Sequence, residues 1–374
     1  MIRRSTTLLA LLLIAATVAP AAALAAPDPY IVVLKGGVSD PGEVARQHEG
    51  RHGASLKHVY RHALKGYAAN IPTARVDDVR RDSRVAYVER DGTVHAIAQA
   101  LPWGIDRIDA DTSSTKAGDG SGAVANVNAY VIDTGIDTKH ADLNVIGHVN
   151  FAGGRNTDCN GHGTHVAGTV AARDNASDVV GAAPGAPLTG VKVLGCNGSG
   201  TWSGVIKGVD WVTANAKKPA VANMSLGGGV SQAVDDAVKG SADSGVFYSL
   251  AAGNEGASAC NSSPARAGTH DGVATTAATD PSDAETSWSN YGPCVDIWAP
   301  GASILSTKRG GGTTTMSGTS MASPHVGGTG ALYLSSHPVD SPAIAETALK
   351  LNGELPTTLS KDGRAILIDY AGRF

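Results

Sequence analysis

Three segments of this 374-residue chain hold side chains that could act on one another. Asp133-Thr134-Gly135-Ile136-Asp137 follows directly on an apolar run. Asn160-Gly161-His162-Gly163-Thr164-His165-Val166-Ala167-Gly168-Thr169 puts a histidine at a glycine-rich helix start. Gly318-Thr319-Ser320-Met321-Ala322-Ser323-Pro324-His325-Val326 puts a serine at another. Each has an ordinary structural reading, as a cap, a turn residue or an N-cap. Together they supply a carboxylate, an imidazole and a hydroxyl, the parts of nucleophilic acyl transfer. A serine hydroxyl is a poor nucleophile until a base takes its proton, and imidazole, titrating near neutrality, suits that task. A buried carboxylate would fix the tautomer and stabilise the imidazolium. The chain order Asp, His, Ser is one of several that give the same geometry.

The surrounding region alternates apolar strands with helices. Val127-Asn128-Ala129-Tyr130-Val131-Ile132 reads as a strand ending at Asp133, and 187–194, 221–226 and 246–252 as further strands. Helices are expected over 203–215 and 231–244. Buried strands alternating with helices predict an α/β fold with a mostly parallel sheet covered on both faces. The preceding region, 26–95, reads as a small α+β unit. Tyr30-Ile31-Val32-Val33-Leu34 is a β-rich run ended by Gly36-Gly37, and 41–47 predicts a helix with Asp40 as N-cap and Pro41 at N1. Strand-like stretches fall within 58–71, a second helix over 73–82, and a last strand at Val85-Ala86-Tyr87-Val88. About seventy residues is little for an independent core, so such a unit is expected to need a partner.

Composition narrows the classes. The chain is 42% hydrophobic and 17% charged, too apolar for a disordered protein. Its net charge of -4 argues against a nucleic-acid partner. That charge is divided: 26–95 carries 11 Lys+Arg against 9 Asp+Glu, and 96–374 carries 17 against 25. Arg3 and Arg4, the apolar run 8–18 and the small residues Ala23-Leu24-Ala25 read as a secretory signal peptide over 1–25. Export to an extracellular destination, periplasmic in transit, with no membrane anchor is therefore expected. Four cysteines suit two bridges in an oxidising compartment, and Cys159, Cys196, Cys260 and Cys294 permit three pairings.

With those three segments in view, the chain resembles the subtilisin-type serine proteases, in the branch typified by proteinase K and aqualysin. The resemblance runs from about Tyr30 to Leu367. It implies a subtilisin-like three-layer α/β/α fold and a triad of Asp133, His162 and Ser320, with His165 as a packing residue. Ala251-Ala252-Gly253-Asn254-Glu255-Gly256 matches a fourth signature, whose asparagine donates its amide to the developing oxyanion; that role falls to Asn254. Ser225, Leu226, Gly227 and Gly228 resemble the segment that pairs with an extended substrate as an added strand. Ala251, Ala252 and Gly253 resemble the facing wall of the pocket. Small walls without an evident charge imply broad endopeptidase activity leaning to apolar or aromatic residues. The region 26–95 resembles the inhibitory prosegment of these enzymes, an intramolecular chaperone, and 96–374 the peptidase domain, with self-activating cleavage near His95–Ala96. The implied bridges are Cys159–Cys196 and Cys260–Cys294. No cofactor is implied for catalysis. Structural calcium is common in the family and Asp296 matches one of its ligands, but the accompanying loop, 266–274, is longer than the family pattern. The implied partners are polypeptide substrates and the chain's own prosegment, around a monomer.

One rival motif lies in the first region. His48-Glu49-Gly50-Arg51-His52 satisfies the H-E-x-x-H pattern of a zinc protease, and His58 falls near a third-ligand position. Gly50 and Gly53 each weaken a helix by about 1 kcal/mol, and Ser55 stands where the longer pattern needs glycine. The five histidines of this region, His48, His52, His58, His62 and His95, also raise the possibility of pH-sensitive prosegment release.

Overall fold

The structure, a computed structural model, describes residues 27–91 and 99–374. The expected signal peptide and the expected cleavage point near His95–Ala96 lie outside the described residues. The chain divides into two compact units, Met1–Ala96 and Ile97–Phe374.

The first unit runs β1 (Asp28–Leu34), α1 (Pro41–His52), β2 (Ser55–Tyr60), β3 (Gly66–Ile71), α2 (Val76–Arg80) and β4 (Val85–Arg90). Its four strands form an antiparallel sheet in the order β2-β3-β1-β4. Tyr30, Val32 and Leu34 alternate into a core with Val44 and Ala45 of α1, Tyr67, Ala69 and Ile71 of β3, and Val76 and Val79 of α2. Asp40 caps α1 through Oδ1, which accepts from the N–H groups of Gly42 and Glu43. Helix α1 runs five residues beyond the expected end, through Gly50, and stops where Gly53 takes φ +65°. The buried face of α1 and this left-handed stop outweigh the weak propensity of Gly50.

The second unit runs α3 (Trp103–Arg107), β5 (Asn128–Asp133), β6 (Val145–Asn150), α4 (His162–Ala171), β7 (Leu188–Lys192), α5 (Trp202–Asn215), β8 (Ala220–Met224), α6 (Gln232–Asp243), β9 (Val246–Ala251), β10 (Val273–Thr279), β11 (Ile297–Pro300), β12 (Ile304–Thr307), β13 (Thr313–Met316), α7 (Thr319–Ser336) and α8 (Pro342–Asn352). Seven strands form one parallel sheet in the order β11-β10-β9-β8-β5-β7-β6. Residues of β5 alternate between two cores. Ala129 and Val131 pack with Val166 and Val170 of α4 and Met321 and Val326 of α7. Tyr130 and Ile132 pack with Val205 and Val209 of α5 and Val234 and Val238 of α6. Both faces are thus covered, which gives the subtilisin-like α/β/α layering expected for this region.

Candidate active site

In an open parallel sheet the carboxyl ends of the strands carry the loops that bind ligands. Asp133 is the last residue of β5 and fully buried. His162 opens α4 behind Gly161, whose φ of +114° suits glycine and turns the chain sharply into the helix. His162 Nδ1 donates to both carboxylate oxygens of Asp133, at 2.8 and 2.9 Å. Oδ1 of Asp133 also accepts from the Thr134 N–H at 2.6 Å. Burial of His162 opposes its protonation, but the charge and hydrogen bond of Asp133, helped by Asp158, outweigh this and raise its pKa.

Ser320 lies in the first turn of α7. Its hydroxyl donates to the Ser225 carbonyl at 3.2 Å rather than to His162. Such contacts commonly tighten only when substrate binds. The Ser320 carbonyl in turn accepts from Ser225 Oγ at 2.7 Å, so the strand-to-loop exit of β8 and the start of α7 are tied together twice. Asn254 Oδ1 accepts from the N–H of Thr319 at 2.9 Å. A main-chain N–H can only donate, so this contact fixes which end of the amide is oxygen and makes Nδ2 the donor end, in a residue that shares a hollow with Ser320.

Two adjoining hollows form one groove. The larger, about 630 Å³, is lined by Thr134, Asn160, His162, Trp202, Ser225 and Ser320 among others; the second, about 420 Å³, by Ala251, Ala252, Gly253, Asn254, Glu255, Thr319 and Ser320 among others. Leu226, Gly227 and Gly228 line both. Strand β8 ends at Met224, two residues short of the expected strand, which leaves Ser225, Leu226 and Gly227 beyond it. Gly228 is less available than expected: its N–H and carbonyl are already paired with Ser263. The second hollow also contains a charge that the sequence reading overlooked, because Glu255 was taken only as part of the Asn254 signature. Its Oε2 accepts from Asn290 Nδ2 at 2.8 Å.

Other residues that organise the site were also missed. Asp158, nearly inaccessible, takes five hydrogen bonds: Oδ1 from Thr134 Oγ1, Asn160 N and Gly161 N, Oδ2 from Thr164 N and Thr164 Oγ1. Thr134 Oγ1 accepts in turn from Gly163 N, joining the neighbours of Asp133 and His162. Lys192, at the end of β7, buries its ammonium against the carbonyls of Thr134 and Leu194, each at 2.7 Å. Burial lowers its pKa and the charges of Asp158 and Asp133 oppose that. Asn223 bridges Ser225, Ser249 and Ser323. The signal for Lys192 was present, as the only charge in the apolar stretch Leu188-Thr189-Gly190-Val191-Lys192-Val193-Leu194. Asp158 and Asn223 are common loop and strand-end residues with no such mark.

Cys159 is bonded to Cys196 and Cys260 to Cys294, the pairing the resemblance implies. His165 is buried, with Nε2 facing the carbonyls of Ile304 and Thr314. The H-E-x-x-H residues do not assemble into a metal centre. His48 is spent on Tyr67 OH and on Asp82 Oδ2, the latter at 3.0 Å, and His58 is exposed on β2. Among the described residues no group of three or more His, Cys, Asp or Glu side chains could hold a metal ion. Asp296, the expected calcium ligand, has both carboxylate oxygens in contact with protein donors. Oδ2 accepts from Thr275 N at 2.9 Å, and Oδ1 faces the Lys350 ammonium at 3.3 Å.

Residues 126–361 match the subtilase family, and residues 29–96 match the peptidase inhibitor I9 family. The chain belongs to the subtilase family of serine proteases. It is 45% identical over 328 residues to an extracellular serine proteinase of Thermus sp. (strain Rt41A), covering 84% of this chain and 77% of that protein. It is 44% identical over 326 residues to alkaline serine exoprotease A of Vibrio alginolyticus, covering 80% of this chain but only 57% of that longer protein. A crystal structure of a cold adapted subtilisin-like serine proteinase superposes with a TM-score of 0.62 at 43% identity, covering 72% of this chain and 97% of that one. Among the described residues no helix is long and apolar enough to cross a membrane.

Proposed function

We propose that the chain is a secreted serine endopeptidase that activates itself by cutting away its own N-terminal unit. In this reading 1–25 is the signal peptide, 26–95 the inhibitory prosegment and 96–374 a monomeric peptidase domain. The match of 29–96 to an inhibitor family and the two compact units support that division. The observation that carries the reading is His162, held by buried Asp133, lining one groove with Ser320 and with Asn254, whose amide orientation is fixed by Thr319.

The chemistry follows from those contacts. An extended peptide lies along Ser225, Leu226 and Gly227, with its side chain in the hollow walled by Ala251, Ala252 and Gly253. The Ser320 hydroxyl swings from the Ser225 carbonyl to His162 Nε2. As Oγ attacks the scissile carbonyl carbon, its proton passes to Nε2, and Asp133 stabilises the imidazolium at Nδ1. The carbonyl π electrons move onto oxygen. That oxyanion accepts from Asn254 Nδ2 and from the Ser320 N–H, which at the second position of α7 has no intrahelical acceptor. The imidazolium then gives its proton to the leaving amine, and water repeats the sequence to release the acid. Small apolar walls favour apolar and aromatic side chains, and Glu255 at the same hollow adds tolerance for a basic one.

The test is N-terminal sequencing of secreted protein from wild type and Ser320→Ala in parallel. The wild type should begin near Ala96, and Ser320→Ala should keep the prosegment and hydrolyse no peptide. Residual proteolysis in purified Ser320→Ala would overturn the triad.

A further inference from the structure

Asp296 is the position at which the family resemblance calls for calcium, and what surrounds it is a different solution to the same electrostatic problem. We infer that the ammonium of Lys350 serves as the counter-ion of Asp296, so that this position is stabilised by the chain's own cation and not by calcium. Lys350 and Glu346 lie one turn apart on α8. Lys350 Nζ contacts Asp296 Oδ1 at 3.3 Å and Glu346 Oε1 at 2.7 Å. The two carboxylate side chains are largely buried, 12% and 6% exposed, so an unpaired charge there would be costly. The second oxygen of each is also engaged: Asp296 Oδ2 accepts from Thr275 N at 2.9 Å, and Glu346 Oε2 from Gly272 N at 2.5 Å.

The longer loop, 266–274, is part of this arrangement. Calcium asks for six to eight oxygens at about 2.3–2.6 Å, most of them here having to come from loop carbonyls. In this loop the carbonyls of Ala267 and His270 accept from His270 N and Val273 N, and that of Gly272 accepts from Tyr248 N. The carbonyl just before it, Ala265, accepts from Thr275 Oγ1. Gly268 backs directly onto Asp296: a Cβ there would sit 2.6 Å from Oδ2. Three of the loop's carbonyl oxygens are thus committed to main-chain donors, and Glu346 anchors its far end through Gly272. One ammonium against two carboxylates leaves a residual negative charge, so a divalent ion is the competitor that the test must exclude.

Equilibrium dialysis of full-length Ser320→Ala protein against radioactive calcium, beside the same protein carrying Asp296→Asn, reads the number of ions held. Equal counts support the inference, and one ion fewer in Asp296→Asn overturns it. Independently of that variant's folding, crystals of the Ser320→Ala parent grown in calcium should show no anomalous peak beside Asp296, and a peak there overturns it. Lys350→Met in the same background should lower Tm in chelator by at least about 2 °C while Lys350→Arg retains it. An unchanged Tm in Lys350→Met would also count against the ammonium's role.

Discussion

Asp158→Asn is the most informative perturbation of the site, because it changes one atom of a side chain that never touches substrate. With the amide oxygen in place of Oδ1, the donors Thr134 Oγ1, Asn160 N and Gly161 N keep an acceptor. The new NH2 then faces Thr164 N and Thr164 Oγ1. The hydroxyl can rotate to accept, but the N–H of Thr164, fully buried, is left unpaired, at a cost of about 1–3 kcal/mol. The surviving bonds weaken from charge-assisted to neutral by about 1 kcal/mol each, partly offset because a buried carboxylate no longer needs to be desolvated. A net loss of about 2–4 kcal/mol, or about 3–7 °C in Tm, is expected for the variant in a Ser320→Ala background. Two further effects separate positioning from plain destabilisation. With its supports loosened, the His162 loop should shift enough to lower kcat about 10–100-fold. Asp158 also raises the pKa of His162, so removing its charge lowers that pKa. Since only neutral imidazole acts as base, the acid limb of kcat/KM should move to lower pH. Calorimetry and a pH series on a small peptide substrate read all three. An unchanged Tm, or an acid limb that stays put or moves upward, would refute the reasoning.

Four further outcomes are expected. Asn254→Ala should lower kcat by about 10²–10³-fold with KM nearly unchanged, since its amide serves only the charged intermediate; a matching rise in KM would point to substrate binding instead. Glu255→Gln should reduce kcat/KM for substrates with Lys before the scissile bond relative to those with Phe, and an unaltered ratio would remove Glu255 from the pocket's selectivity. Replacing Cys159 and Cys196 together by serine opens a closure spanning 37 residues and should cost about 4 kcal/mol, visible as a lower Tm. Asp369, fully buried beside Thr329 Oγ1, has its pKa pushed up to about 7 by burial. The native carboxyl therefore holds a proton between about pH 7 and pH 4 that the unfolded chain does not, which adds stability as pH falls through that window and withdraws it above about pH 7. Asp369→Asn should raise Tm at about pH 9 and leave it nearly unchanged at about pH 5, and equal shifts at both would contradict the sign.

What could be read from the sequence was whatever announces itself through local pattern. Strand β5 did so through a β-rich apolar run, and α5 and α6 as the stretches that alternate with such runs. Strand β10, Val273-Ala274-Thr275-Thr276-Ala277-Ala278-Thr279, did not, because small Ala and Thr residues give no contrast between faces when both are buried. Strand β11 is four residues long and ends in proline. Helix α7 is buried on nearly every side and carries Pro324 within it, so its sequence shows no polar stripe to mark its length. The triad candidates stood out because each sits in a dense motif. Asp158, Thr134 and Asn223 gained meaning only when the fold brought distant turns together. Lys350 lies on a helix that the sequence reading did not single out, so the cation facing Asp296 was invisible there.

The order of strands in the large sheet has a consequence for how long the molecule lasts. Strand β5, inside the sheet, pairs with β7 and β8, Ala129 opposite both Leu188 and Val221, so its neighbours come from segments remote along the chain. Joining such segments demands a large entropy loss before contacts reward it, which makes the folding barrier high. Where those pairings are already formed at the transition state, folding is slow; where they are not, it is unfolding that is slow. In the second case, and where cleavage outpaces reclosing, the molecule's lifetime among its own active copies is governed by a rate more than by an equilibrium.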